Sequence, residues 1–281
     1  MTVSGAFDQA PTVTIPKVTG TGALLTKTVI QGAGAKFSSS QGMIGNYVAY
    51  DWSGATSKVL GSSYTTKKKS LFVGSLLPGL ETALSGQKLG SRVLAVIPPA
   101  QAFGSTGNST EGIGATDTLV FVIDLDSVFA TASVPGKQTS NGGGALPTVT
   151  APAAGSSAGP TVKINTKATP PNALKVVTLV KGTGAKVVKA DDIAVQYSGS
   201  IWRTGKVFQS SWASGGTPFT TVIGESQVIP GWDTGLIGQT VGSRVMLVIP
   251  PAEGYGTAGQ SSVGIKGTDT LVFVIDILAA A

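Results

Sequence analysis

The chain carries the same nine-residue string twice. TDTLVFVID occupies 116–124 and again 268–276, an offset of 152. A longer pair lies at the same offset: GQKLGSRVLAVIPPAQAFG (86–104) and GQTVGSRVMLVIPPAEGYG (238–256) agree at 12 of 19 positions. TVIQGAGAK (28–36) matches TLVKGTGAK (178–186) at offset 150, so loops between these anchors differ in length. A period this long marks a duplicated domain of roughly 110–125 residues, not a short-period solenoid. Between the copies, PGKQTSNGGGALPTVTAPAAGSSAGP (135–160) carries one charge, Lys137. Such a tract cannot bury a core and reads as a flexible to semi-extended linker. The expected organisation is a domain over 1–134, a linker over 135–160 and a domain over 161–281.

Composition then removes whole classes of chemistry. The 281 residues include no histidine and no cysteine. Thiol nucleophiles, disulfides, histidine or cysteine zinc sites and histidine general bases are therefore excluded. Net charge is +6, but residues 1–134 hold nine basic and seven acidic groups and residues 161–281 ten and seven. Charge spread so evenly, with no aromatic-interleaved basic face, argues against nucleic acid as a partner. Lys67-Lys68-Lys69 is the only basic run and reads as a solvated loop or sheet edge. No apolar run reaches transmembrane length. The start, MTVSGAFDQ, has neither the basic nor the apolar region of a signal peptide. A Ser/Thr/Gly/Ala-rich, charge-poor surface suggests an exported or lipid-anchored bacterial protein whose leader has been removed, with a cytoplasmic origin as the alternative.

Within one copy most segments read as strands. Val176 to Val180 is β-rich and runs into Gly182-Thr183-Gly184, a turn signal. This stretch lacks the spacing of a phosphate loop and reads as a hairpin turn. Ile193, Val195 and Tyr197 alternate with Ala194 and Gln196, as on a half-buried strand. Val245, Leu247 and Ile249 alternate with Met246 and Val248 until Pro250-Pro251 stops the strand. Leu271, Phe273, Ile275 and Ile277 share one face of the last strand. After Pro230, the residues Trp232, Leu236 and Ile237 fall on one helical face, with Asp233 favourable in the first turn. Each domain is thus α+β, an antiparallel sheet with one short helix laid on it. Ser210-Ser211 reads as a turn, since no base stands ready to activate a serine.

The ordered series VQYSG (195–199), GKVFQSS (205–211), PF (218–219), QVIPGWDTGL (227–236), VGSR (241–244), VIPPAEGYG (248–256) and TLVFVIDIL (270–278) resembles the FKBP-type peptidyl-prolyl cis-trans isomerases. The resemblance covers about 170–278. It implies two domains, each a twisted antiparallel β-sheet half-wrapped around one short helix, with a ligand pocket between helix and sheet. It implies no cofactor and no metal. The implied partners are proline-containing polypeptide segments and rapamycin-like macrolides, and the implied state is a monomer. Trp232 would form the pocket floor, walled by Tyr197, Phe208, Phe219 and Phe273. Val228 and Ile229 would lie at the rim, the Ile229 N–H facing a substrate carbonyl. The Tyr255 hydroxyl would donate a second hydrogen bond, and Ile265 would line the far lip. Composition alone would place Phe273 in a core, and for Phe208 and Phe219 the core and pocket readings overlap.

Two departures stand out. Gln209 occupies the position where the family pattern has an aspartate that supports a tyrosine hydroxyl. Glutamine keeps an acceptor, adds an N–H donor and loses the charge, so a lower rate or a shifted preference is expected. The first copy departs further. Aligned by sequence, Leu80 replaces Trp232, Leu60 replaces Phe208, Phe103 replaces Tyr255, Trp52 replaces Tyr197 and Gly61 replaces Gln209. GESQVIPGW is shortened to GSLLPGL (74–80). The resemblance therefore implies an isomerase that assists folding in the second domain and a degenerate first domain. The rival reading is a non-catalytic chaperone or scaffold using the same grooves. A third is an adhesion-like tandem β protein in which duplication serves reach.

Overall fold

The repeated string TDTLVFVID becomes the middle of a sheet in each half of the chain. The computed structural model describes residues 1–20, 22–74, 76–153 and 156–281. It divides into two units, Met1–Phe129 and Ala130–Ala281. In unit 1 the elements are β1 (Thr2–Ser4), β2 (Thr12–Thr14), β3 (Leu25–Ile30), β4 (Gln41–Ser53), β5 (Thr56–Ser62), α1 (Ser63–Thr66), β6 (Ser70–Phe72), α2 (Pro78–Leu84), β7 (Arg92–Ile97) and β8 (Thr118–Ala130). In unit 2 they are β9 (Thr148–Thr150), β10 (Thr161–Lys163), β11 (Lys175–Val180), β12 (Asp192–Ile201), β13 (Val207–Ser210), β14 (Phe219–Val222), α3 (Pro230–Leu236), β15 (Arg244–Ile249) and β16 (Leu271–Ala280). Each unit has a six-stranded sheet, ordered β3-β7-β8-β4-β5 with β6 also on β4, and β11-β15-β16-β12-β13 with β14 also on β12. This is the α+β architecture expected from the sequence.

The short helix lies on the inner face of each sheet. α3 starts on Pro230, buries Gly231, Trp232, Gly235 and Leu236, and has Asp233 in its first turn. The two glycines allow the close approach: a Cβ on Gly231 would meet Ile249 at 2.6 Å, and one on Gly235 would meet Leu247 at 2.7 Å. Ile237, expected on the buried face, lies just past the helix and is 41% exposed. The left-over turn of helix that would have carried it inward never forms. The inner core gathers Ile193, Val195, Leu236, Val245, Leu247, Ile249, Leu271, Ile275 and Ile277 around Trp232.

The outer face is covered as well, which the alternating pattern did not anticipate. β12 and β15 are buried on both faces. The cover comes from the expected linker. β9 pairs antiparallel with β10, Val149 against Val162. Val149 is buried in a second cluster with Leu179, Trp202, Met246, Val248, Val272 and Val274. So the tract 135–160 is not a free linker over its described residues, and unit 2 begins at Ala130 instead of 161. Ala154 and Gly155, within that tract, lie outside the described residues, as do Thr21 and Ser75 in unit 1. The physical reason is that a few apolar side chains in a Gly/Pro-rich tract suffice when an apolar sheet face is available. Unit 1 has its own ribbon: β1 pairs with β2, and Val3, Val13 and Ile15 pack on Val48, Trp52, Leu94, Val96, Val120 and Val122.

Both ribbons are pinned to a buried ion pair. In unit 2, Arg244 Nε lies 2.6 Å from Asp276 Oδ1 and Arg244 Nη2 2.8 Å from Oδ2. Ser133 Oγ donates to Asp276 at 2.7 Å and accepts from Arg244 at 2.9 Å. The Val134 N–H donates to the same carboxylate at 3.0 Å. In unit 1, Arg92 binds Asp124 twice at 2.7 Å and donates to the carbonyls of Gly5 at 3.0 Å and Gln9 at 2.6 Å. A buried pair is tolerable only with its remaining hydrogen-bonding capacity filled, and the ribbons fill it.

Two smaller expectations change. Gly182-Thr183-Gly184 is not a hairpin turn, because β11 pairs with β15 and not with β12. The segment instead runs beside 239–243, with Gly184 N–H donating to Val241 O at 3.0 Å and Val187 N–H to Gln239 O at 2.8 Å. Ser210 ends β13, while Ser211 opens the turn that follows, with its side chain turned inward. It is buried, accepts from Tyr197 N–H at 2.8 Å and donates to Gln196 Oε1.

Candidate functional site

Between α3 and the inner face of β12, β13 and β16 lies a cavity of about 370 Å³. Of the ten residues singled out from the sequence, eight line it: Tyr197, Gln209, Phe219, Val228, Ile229, Trp232, Tyr255 and Phe273. Phe208 and Ile265 do not. Phe208 stands behind Phe273 with ring centroids 5.6 Å apart and planes at 89°. Ile265 is 3% exposed and belongs to the core. Ser226 and Gln227 also line the cavity and were missed. Their signal was only adjacency: they immediately precede Val228 in the loop that leads to α3.

Trp232 is the hub. Its ring lies 5.3 Å from Tyr197, 5.3 Å from Phe273 and 6.2 Å from Phe219, edge-on in each case with planes at 83–88°. Tyr197 completes the set, 6.2 Å from Phe273 and 5.7 Å from Phe219. Edge-to-face packing satisfies ring quadrupoles and holds each face at a fixed angle. Trp232, Tyr197 and Phe273 are nearly fully buried, while Phe219 is 39% exposed and forms the rim. The tight setting of Phe273 and Phe208 depends on Gly199, where a Cβ would meet both rings at 2.7 Å.

Polar atoms are few. The buried Trp232 Nε1 has no hydrogen-bond partner among the described residues. Burial pushes the Tyr197 hydroxyl above its ordinary pKa, with neighbouring Tyr255 adding to the rise, and burial does the same to Tyr255. Both therefore remain protonated donors at neutral pH. The Ile229 N–H, at the N-cap of α3, donates to no described group. Gln209 is exposed at the mouth. Among the described residues no lysine, arginine, aspartate or glutamate lines the cavity. Among the described residues no group of three or more acidic side chains could hold a metal ion, and no helix is long and apolar enough to cross a membrane.

The turn before β16 is tied down by charge. Arg203 Nε and Nη2 meet Asp269 at 2.8 and 2.9 Å, and Lys266 N–H donates to Asp269 at 2.8 Å. The Arg203 hydrogen bonds hold the Asp269 carboxyl below the ordinary carboxylate range.

Unit 1 places different side chains at the same points. Leu80 stands in α2 where Trp232 stands in α3, both buried. Gly61 pairs with Ala49 as Gln209 pairs with Gly199. One sequence-based correspondence changes. Tyr47 N–H donates to Ser63 Oγ at 2.9 Å, and Ser63 Oγ to Asn46 Oδ1 at 2.8 Å. This repeats the Tyr197–Ser211–Gln196 arrangement, so the counterpart of Tyr197 is Tyr47, not Trp52. Trp52 instead belongs to the outer-face cluster, as Trp202 does in unit 2. Matching by residue size misled here, because a tryptophan on the outer face also needs the ribbon to bury it.

Comparison with known proteins agrees with this geometry. The model of the FKBP-type peptidyl-prolyl cis-trans isomerase family matches residues 39–126 and 184–278. An FK506-binding protein of Streptomyces anulatus is 37% identical over 110 residues, 39% of this chain and 88% of that protein. FK506-binding protein 2B of Rhizopus delemar is 44% identical over 88 residues, 31% of this chain and 41% of that protein. The peptidyl-prolyl cis-trans isomerase FKBP9 of Mus musculus is 28% identical over 206 residues, 73% of this chain and 29% of that protein. The match thus spans less than half the length of the fungal and mouse relatives. With two matched segments that together cover more than half of the sequence, the chain belongs to the family of FKBP-type peptidyl-prolyl cis-trans isomerases.

Proposed function

We propose that unit 2 catalyses cis–trans isomerisation of X-Pro bonds in proline-containing polypeptides and so assists their folding. The observation that carries this reading is the aromatic cavity built on Trp232, with the Ile229 N–H and the Tyr255 hydroxyl at its edge and no ionised group among the described residues of its lining. Rotation about an X-Pro bond faces a barrier of ~18–20 kcal/mol, set by amide resonance. The planar amide is the more dipolar state. A dry cavity disfavours that dipole, and a twisted amide loses less on leaving water. The proline ring would sit on Trp232, and the Ile229 N–H and Tyr255 hydroxyl would bind carbonyls of the peptide. Differential binding of the twisted state is all the chemistry required, so a chain without histidine or cysteine can perform it. The same cavity would accept rapamycin-like macrolides.

Unit 1 is read as a degenerate copy that binds proline segments weakly and does not catalyse, because Leu80, Gly61 and Phe103 remove the floor ring, the mouth amide and the hydroxyl. The chain is read as a monomer exported from a bacterial cell, on the ground of its charge-poor, Ser/Thr/Gly/Ala-rich surface. A second reading, a binding module without catalysis, is favoured by Gln209, since no carboxylate supports the Tyr197 hydroxyl.

The test is the cis-to-trans relaxation of an Ala-Leu-Pro-Phe peptide with the full chain and with residues 130–281 alone. Acceleration by both supports catalysis. Binding of the peptide or rapamycin without acceleration supports the second reading. Neither binding nor acceleration would remove both. Gln209→Asp should raise the rate a few-fold if the missing carboxylate is what limits it.

A further inference from the structure

Four consecutive residues, Ser226 to Ile229, line the cavity, yet they belong to a loop with no strand or helix of its own. Something outside the loop must fix it. The Asp233 carboxylate accepts from Gly224 N–H at 2.7 Å through Oδ1 and from Ser226 N–H at 3.1 Å through Oδ2. A weaker tether runs the other way, from Val222 N–H to Gln227 Oε1 at 3.3 Å. Ser226 has φ +58°, a left-handed conformation that a residue with a side chain keeps only when its surroundings hold it there. Asp233 sits one residue after Trp232 in the first turn of α3, where a carboxylate is favoured. One helical turn therefore carries both the cavity floor and the clamp on its rim. Among the described residues of unit 1, the counterpart Glu81 is engaged through its backbone, to Leu77 O and from Ser85 N–H.

We infer that Asp233 is a positioning residue: by holding Gly224 and Ser226 it shapes the rim from Ser226 to Ile229 and keeps the Ile229 N–H free for a peptide carbonyl. The inference rests on the groove being a peptide site. A rim that touches bound peptide in ground and transition states alike contributes to affinity and not to the rate of the bound complex. Removing the clamp therefore raises KM and leaves kcat unchanged.

The experiment uses the full chain with Asp233→Ala, Asp233→Asn and Asp233→Glu. It reads amide hydrogen exchange at Gly224 and Ser226, the kcat and KM for an Ala-Leu-Pro-Phe peptide, and the affinity for the same peptide carrying a fluorescent label. Asp233→Ala should speed exchange at both amides and raise KM about tenfold, with kcat within about twofold of the parent. Asp233→Asn keeps the side-chain volume and one acceptor, so it guards against misfolding and should fall between parent and alanine. Asp233→Glu restores a carboxylate and should recover most of the lost affinity. Unchanged exchange and KM in the alanine variant would overturn the clamp, as would a fall in kcat at constant KM or no recovery with glutamate. If the parent neither binds nor isomerises the peptide, the peptide-site reading fails, while faster exchange in the alanine variant would still uphold the clamp.

Discussion

Unit 1 and unit 2 share a sheet order, a helix position and an outer ribbon pinned to an Arg–Asp pair, and they differ in what faces the groove. At the floor, Trp232 of unit 2 corresponds to Leu80 of unit 1. At the mouth, Gln209 corresponds to Gly61. At the edge, Tyr255 corresponds to Phe103. The loop anchor differs too. Asp269 is held by Arg203, whereas its repeat counterpart Asp117 accepts from Gly114 N–H at 2.6 Å and lies beside the buried Asp51, which has Lys58 at 3.5 Å and an oxygen without a hydrogen-bond partner among the described residues. Burial, and then the neighbouring Asp117 carboxylate, push the Asp51 pKa up. The comparison teaches that packing and groove chemistry can vary separately: the sheet and two of the cavity rings are retained, Tyr47 for Tyr197 and Phe121 for Phe273, while the floor, mouth and edge positions differ.

The largest expected effect comes from carrying the unit 1 floor into unit 2. Trp232→Leu removes the hub of three edge-on ring contacts and should lower kcat/KM by about 100-fold and stability by about 3–5 kcal/mol. The peptide relaxation assay and urea unfolding check it. Retained activity would show that the floor ring is not what separates the units.

Next is the ribbon. Residues 161–281 without 130–160 should be much less stable than residues 130–281. Burial of a valine such as Val149 contributes about 1.5–3 kcal/mol by itself, and the Arg244–Asp276 pair would lose Ser133 and Val134. Thermal melts of the two fragments decide this. Equal melting temperatures would mean the ribbon is dispensable and the tract acts as a linker after all.

A smaller change follows Tyr255→Phe, which imports Phe103. Losing one hydroxyl hydrogen bond to substrate should cost about 1 kcal/mol, or roughly fivefold in kcat/KM, with no change in melting temperature. A fall in melting temperature with unchanged kinetics would instead make Tyr255 a structural residue.

The pH responses should be small and of opposite sign in the two units. A raised Asp51 pKa means the folded form of unit 1 holds its proton more tightly than the unfolded chain. That contribution is present at low pH and is lost as pH rises through the carboxylate range toward neutrality. A lowered Asp269 pKa does the reverse in unit 2, adding stability above the ordinary carboxylate range that is lost on acidification. Melting temperatures of residues 1–129 and 130–281 should therefore diverge: the first falls as pH rises from about 4 toward 7, and the second falls as pH drops below about 4. Catalysis itself should be flat over that range and up to about pH 9. Among the described residues the ionisable side chains in the lining are Tyr197 and Tyr255, and both are shifted upward.

Much of the site was legible in the sequence because groove residues sit at fixed offsets from repeated anchors. Trp232 follows Pro230-Gly231 at a helix start, and Tyr255 follows the strand-ending Pro250-Pro251. The misses have physical causes. Phe208 and Phe273 are both aromatic and adjacent, and only packing decided that one lines the cavity while the other stands behind it. Ser226 and Gln227 carry no pattern, since a loop is placed by its tethers and not by its own periodicity. Trp52 was matched to Tyr197 because size is visible in a sequence and facing is not.

The sequence by itself determined the duplication, the strand-rich α+β class, the exclusion of thiol and histidine chemistry, and the ordered motifs that place the chain in its family. Those follow from local composition and spacing, which fix propensity and alternation. Only the tertiary structure decided that 135–160 is a ribbon on the outer face, that both faces of each central strand are buried, and that a carboxylate in α3 clamps the rim. Each of these is a contact between residues far apart in the chain, created by surfaces that exist only once the sheet has formed.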